Sequence, residues 1–255
     1  MKRLAERTLL IGAGKGGVGK STLTLNLAVA MASKKLRVGI LDADLYGPSL
    51  PIMTGLRNLS PPQGTEGSVI PFAKFGLALI SLGFFMEEGR SIVWRGPMLH
   101  AMLDKLICQV QWPQLDYLFV DLPPGTGDVP LSLTKLLAID GSIVVTTPQE
   151  VSFLDVAKAT CAFGLLKIPV LGLIENMVGP PFGKSRGKLF AERLSTPFLG
   201  SVPLETKICN SGDCGIPFAF SEVGEQLFAP LADNLHHQYC EQKGSIHDNQ
   251  GRNGD

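Results

Sequence analysis

The sequence predicts a single α/β domain built on a doubly wound, mostly parallel sheet with helices on both faces. Three observations lead there. Short apolar runs alternate with helix-length segments, the runs are continuous rather than alternately polar, and they end in Gly, Asp or Pro. A strand covered on both faces carries such a continuous run, and strand–helix alternation is the pattern of parallel crossover units. With 255 residues, 45% of them hydrophobic and 18% charged, the chain is long enough to bury the core this fold needs.

The elements follow in order. "RTLLIGA" is a strand that runs into a glycine loop, and "KSTLTLNLAVAMAS" is the helix after it. "LRVGILDAD", "LDYLFVDLPPG", "GSIVVTTP", "IPVLGLIEN" and "TPFLGSVP" are further strands, each set off by a helix-length stretch. Between Asp44 and Trp94 the pattern loosens: "SVIPFAKFGLALISL" reads as a β-hairpin, and the segment before it as loops and short turns. The domain is expected to span residues 1–235. Residues 236–255 are polar and without periodicity, and are expected to be a frayed helix end and a disordered tail.

Charge and composition narrow the function classes. The 23 Lys and Arg balance 23 Asp and Glu, so no bulk electrostatic attraction to nucleic acid or an anionic membrane is expected. No window approaches the ~18 apolar residues that would cross a bilayer. A glutamate and an early glycine loop stand where a secretory signal would hold its apolar stretch, so a cytoplasmic location is expected. Five widely spaced cysteines are an odd count, which in a reducing compartment points to buried thiols or metal ligands rather than disulfides.

"GAGKGGVGKS" sets Gly14, Gly19, Lys20 and Ser21 at the spacing of a phosphate-binding loop, with a strand before and a helix after. Glycines let consecutive backbone N–H groups converge on one concavity, and the helix start adds its dipole. Lys20 is then placed for the β- and γ-phosphates, Ser21 for Mg²⁺ and Thr22 for the α-phosphate. In "LDADLYGPS", Asp42 and Asp44 end an apolar strand at the same sheet edge, where they can hold a metal's water shell or orient an attacking water. One Asp there is ordinarily a turn cap; two spaced by one residue point to the site. "LDYLFVDLPPGTGD" places Asp121 after four apolar residues, the pattern of a carboxylate that holds Mg²⁺. The loop that follows is expected to leave the Gly125 N–H free for a γ-phosphate.

Together these motifs resemble the MinD/ParA class of P-loop ATPases, with its K-G-G-x-x-K-S/T loop. Within it the chain is most similar to the Mrp family of iron–sulfur cluster carrier ATPases, through "LDADLYGPSLPIMTG", "VWRGPMLHAML", "LDYLFVDLPPGTGDVPLSL", "VVTTPQEVSFLDVAKA", "PVLGLIENM", "FLGSVPLE" and "GIP", in order from about residue 7 to about residue 220. The resemblance implies a homodimer that sandwiches two ATP molecules, with slow hydrolysis acting as a switch and iron–sulfur donor or recipient proteins as partners. It implies that Lys15 crosses the interface to the second subunit's phosphates. Lys20, Ser21 and Thr22 would serve phosphate and Mg²⁺ within the subunit, cradled by Gly14, Gly16, Gly17, Val18 and Gly19. Asp44 would position the water, Asp42 and Asp121 would support the metal, and Asn176 and Pro203 would line the adenine pocket.

One departure bears on cargo. Members that carry clusters have a C-x-x-C pair after the "ENM" strand end, so that two subunits supply the four thiolates of a [4Fe–4S] cluster. Here "ENMVGPPFGKSRGKLFAERL" contains no cysteine and is shorter. What remains is "ICNSGDCGIP", whose Cys209 and Cys214 are either cluster ligands or two partly buried loop thiols. Cys108 and Cys161 fall in apolar helical segments and read as packing residues; Cys240 lies beside His236, His237 and Tyr239 in the tail. "VWRGPMLHAML", with Arg95, is either a switch surface or a plain helix start, and "PPFGKSRGK" reads as a solvated basic loop. The alternative to a cluster carrier is a MinD/ParA-like switch that acts on a protein partner and binds no cluster.

Overall fold

A computed structural model describes residues 1–86, 96–125 and 127–251, with the backbone alone for residues 240–251. Its strands are β1 (Ala5–Gly12), β2 (Val38–Asp42), β3 (Phe72–Lys74), β4 (Leu77–Ser81), β5 (Leu115–Asp121), β6 (Gly141–Thr146), β7 (Val170–Val178) and β8 (Phe198–Pro203). Its α-helices are α1 (Lys20–Ser33), α2 (Leu50–Met53), α3 (Gly96–Cys108), α4 (Asp128–Leu136), α5 (Glu150–Leu165), α6 (Gly187–Arg193), α7 (Thr206–Asp213) and α8 (Glu222–Gly251). The strands form one sheet in the order β3-β4-β2-β5-β1-β6-β7-β8. Every pairing is parallel except the β3–β4 hairpin at one edge, so the expected hairpin and parallel strands are both present.

The continuous apolar runs serve two cores at once. Leu9, Ile11, Ile40, Phe119, Ile143 and Ile174 point to one face, where they pack on Leu23, Leu27 and Met31 of α1 and on Phe228, Leu231 and Leu235 of α8. Their neighbours Leu10, Leu41, Leu118, Val120, Val144 and Leu173 point to the other face. There they meet Leu103 and Ile107 of α3, Leu133 of α4, Phe163 of α5 and Phe190 of α6. Successive strand side chains alternate between faces, so a run apolar at every position requires helices on both sides.

The packed part of the chain reaches beyond residue 235. α8 continues to Gly251, Tyr239 is buried, and the Nδ1 of His236 lies 2.8 Å from the Tyr117 hydroxyl. Arg7 sits over the rings of both Tyr117 and Tyr239. His236 and Tyr239 thus pack on the sheet through aromatic and cationic contacts that polarity alone does not signal. No helix among the described residues is long and apolar enough to cross a membrane.

Candidate functional site

β1 lies in the middle of the sheet, between β5 and β6, and the glycine loop leaves its carboxyl end. Loops at the carboxyl ends of central strands, where the strand order turns, are where such sheets bind ligands. Gly17 and Gly19 take left-handed φ values of +77° and +84°, and a Cβ on Gly17 would meet nothing within 4 Å. Gly19 is the residue immediately before α1, which begins at Lys20, so the helix's positive N-terminal end faces the loop.

Two neighbours fix the loop. A Cβ on Gly14 would fall 2.0 Å from the carbonyl oxygen of Asp155, so only glycine lets the loop lie against α5. On the opposite side, the Asn176 Nδ2 donates to the Val18 carbonyl at 2.9 Å, and Val18 is itself buried in the core. Lys15 is half-buried over the crevice shared with Ser152 and Asp155 of α5, Gly16 is exposed beside Pro124, and Ser21 and Thr22 are half-buried on α1.

The carboxylates converge through strand register. Asp42 at the end of β2 pairs with Asp121 at the end of β5, and Asp121 pairs with Ile11 of β1, just before the loop. Asp42, Asp44, Asp121 and Lys20 are all buried. Burial pushes both carboxyls above the ordinary 3.8, with repulsion from Asp121 adding at Asp42 and from Asp44 at Asp121, where Lys20 and hydrogen bonds from Ser21 and Thr24 oppose the shift. Asp42 also accepts from the Ser81 hydroxyl at 2.8 Å and from the backbone N–H groups of Asp44 and Leu50, which makes it the anchor of the segment between β2 and α2. Asp44 accepts from the N–H groups of Tyr46 and Gly47.

These residues suit a hard divalent cation. Buried carboxylates whose ionised form is disfavoured by burial are what a cation relieves, and the Ser21 hydroxyl lies against Asp121. Among the described residues no three His, Cys, Asp or Glu form a ready-made metal cage, so a metal here would draw its remaining ligands from water and from a bound phosphate. The loop after β5 differs from expectation. The Gly125 N–H donates to the Ala13 carbonyl at 3.1 Å, because Gly125, at φ +88°, folds back on the glycine loop. Thr126 and residues 87–95, including Arg95, lie outside the described residues.

Beside the phosphate loop is a cavity of about 140 Å³ whose walls include Thr22, Asn176, Pro203, Ile208 and Phe228. Asn176 and Pro203 therefore line one slot. Cys209 and Cys214 are placed differently from the expected loop: Cys209 is within α7 and Cys214 follows its last turn, both exposed. The cysteine-free segment after Asn176 is closed by paired hydrogen bonds between Gly179 and Gly183. It is tied down by Glu175, whose buried carboxylate accepts from the Ser185 hydroxyl and the Arg186 N–H. Within this basic loop, Arg186 pairs with Glu150 at 2.7 Å.

Three supporting residues were not legible beforehand. Thr24 donates to Asp121 at 3.1 Å, Ser81 holds Asp42, and Asp155 receives Gly14. Thr24 is one helical turn after Lys20 and its spacing was a usable signal. Ser81 and Asp155 reach the site only through long-range packing.

Known proteins agree with this geometry. The ParA family of NUBPL iron-transfer P-loop NTPases matches residues 5–237. An iron–sulfur cluster carrier protein of Aquifex aeolicus is 42% identical over 233 residues, covering 87% of this chain and 64% of its own length. The iron–sulfur cluster transfer protein NUBPL of mouse is 41% identical, covering 86% of this chain and 72% of its own. The chain thus spans just under two thirds of the length of the bacterial carriers it matches. Among solved structures, a nucleotide-binding protein of Archaeoglobus fulgidus in complex with ADP superimposes with a TM-score of 0.74 at 31% identity, covering 88% of this chain and 92% of that one. MinD of Pyrococcus horikoshii with Mg-ADP shares the fold at a TM-score of 0.71 and 21% identity, covering 90% of this chain and 95% of that one. With a family match over residues 5–237 and curated relatives at about 40% identity, the chain belongs to the ParA family of NUBPL iron-transfer P-loop NTPases.

Proposed function

We propose that this chain binds Mg²⁺–ATP and hydrolyses it slowly as a homodimer, in the service of iron–sulfur cluster assembly or transfer. The observation that carries the nucleotide reading is the register of Asp42 and Asp121 beside a loop already pinned around Lys20. Ser21 and Asp121 would hold Mg²⁺, which would supply charge neutralisation for the phosphates. Lys20 and the first turn of α1 take up the remaining phosphate charge, with the Ser21 hydroxyl and Asp121 on the metal side. Asp44 orients the attacking water. Lys15 is redundant beside Lys20 in its own subunit, so we assign it to the second copy's nucleotide.

The cargo reading rests on the relatives' names, a cluster being substrate rather than resident cofactor. One observation favours the alternative, a switch that acts on a protein partner without a cluster: the segment where relatives' thiols are expected is cysteine-free and closed on itself. Two measurements separate these readings. Size-exclusion chromatography of Asp44→Ala in ATP is expected to show a dimer that Lys15→Ala in the same background loses; a protein monomeric in both refutes the sandwich. Anaerobic reconstitution with iron and sulfide is expected to give cluster absorbance that Cys209→Ser/Cys214→Ser lacks. No absorbance in the unmodified chain leaves the switch.

A further inference from the structure

The slot beside the phosphate loop has one wall that neither Asn176 nor Pro203 accounts for. Its lining also includes Ile208 and Cys209 in the first turn of α7, Thr22 and Leu23 of α1, and Phe228 of α8. Thr22 and Leu23 share the first turn of α1 with Lys20, so a molecule with its phosphates on the loop puts its next rigid group here. At about 140 Å³ the slot is well below the ~300 Å³ at which whole ligand pockets begin, and suits one ring system with the rest of the molecule outside.

Cys209, within α7, and Cys214, just past its last residue, do not share a face. Five residues on a helix turn through about 140°, so Cys209 and Cys214 point apart. Cys209 lines the slot. Cys214 instead precedes Gly215, where a Cβ would come 2.6 Å from the Cα of Gly55 in the segment after α2. Cys209 is exposed, and its recorded side-chain contact is the Asp213 carboxylate, at 3.8 Å. That leaves it open from the slot side.

We propose that Cys209 is a wall of the nucleotide-base slot, so that bound nucleotide and any group attached to its thiolate exclude one another. The inference rests on the nucleotide reading above and deepens it: the thiol chemistry of this chain is gated by nucleotide occupancy at one cysteine and not at the others. It follows that a soft metal or cluster can take Cys209 as a ligand only in the nucleotide-free state.

The test is alkylation of the full chain by N-ethylmaleimide, with each cysteine's rate followed by fragmentation mass spectrometry, while calorimetry measures ADP affinity. If the base occludes the thiol, alkylation proceeds only through the free fraction. ADP at one hundred times its dissociation constant then slows Cys209 by about 100-fold, and Cys108, Cys161 and Cys214 keep their rates. ADP that binds by calorimetry but leaves the Cys209 rate unchanged overturns the proposal and spares the nucleotide reading. Equal slowing at Cys108, Cys161, Cys209 and Cys214 overturns it too, because the effect would then be a global stiffening. Absence of ADP binding overturns both. As a second readout, Cys209→Trp fills the slot and is expected to weaken ADP at least tenfold with an unchanged melting temperature, whereas unchanged affinity counts against the proposal.

Discussion

Gly19→Ala tests the pinning of the phosphate loop more sharply than any change to the lysines. The residue sits at φ +84°, where an L side chain costs about 1–2 kcal/mol. The new Cβ would also lie 2.2 Å from the Asn176 Nδ2. That amide is the end of a side chain and can swing away, but doing so breaks its 2.9 Å bond to the buried Val18 carbonyl. Leaving such a carbonyl unsatisfied costs about 1–3 kcal/mol, so the substitution is expected to lose about 2–5 kcal/mol in all. Asn176→Ala alone loses only the hydrogen bond, about 1–3 kcal/mol. The double variant loses strain plus one bond, so the two single losses overcount by about 1–3 kcal/mol. Denaturant unfolding of the four proteins without nucleotide measures this coupling. Losses that add to within about 0.5 kcal/mol would show that Asn176 and Gly19 do not share a contact, and the pinned-loop argument would fail.

Three further expectations concern the same edge and the far end of α8. Thr24→Val removes a donor to the Asp121 carboxylate, worth about 1.5–3 kcal/mol, and is expected to weaken Mg²⁺-dependent ADP binding about 10-fold or more, with Thr24→Ser recovering most of it by calorimetry. Because burial holds the Asp42 and Asp121 carboxyls above 3.8, the folded chain binds protons there that the unfolded chain releases. Their contribution to the stability of the metal-free protein is present at low pH and lost as pH rises past that value, and in a denaturant–pH series Asp42→Asn should flatten this slope. His236 behaves in the opposite sense. Burial and the neighbouring Arg7 hold its pKa below 6.5, with Lys34 acting the same way and Asp233 opposing, so stability should fall as pH drops through 6.5. His236→Gln should remove that part of the pH dependence; an unchanged profile would refute the role given to His236 in docking α8.

The fold was legible because its signals are local. Continuous apolar runs require strands covered on both sides, glycine spacing before a helix requires a phosphate cradle, and aspartates at strand ends require a common edge once the strands are parallel. The β3–β4 hairpin followed from the same reasoning. Each of these needs only a residue's neighbours in the chain, and the physical chemistry of backbone and burial supplies the rest.

What lay beyond the sequence depends on which distant groups packing brings into contact. Asn176 bonds to Val18 across 158 positions, and Ser81 and Thr24 hold Asp42 and Asp121 from separate elements. The Gly125 N–H is taken by Ala13, and a polar C-terminal stretch is helical because Arg7, Tyr117 and His236 meet on it. Most telling is α7. Composition showed two cysteines near a glycine and suggested a loop. The tertiary structure makes most of the segment a helix whose Cys209 lines the slot beside the phosphate loop while Cys214 lies exposed just past its last residue, with the buried Ile208 setting which side of the helix faces the protein. Sequence alone determined that this chain has a site for a nucleotide, and only the three-dimensional packing decided which residues hold that site in shape.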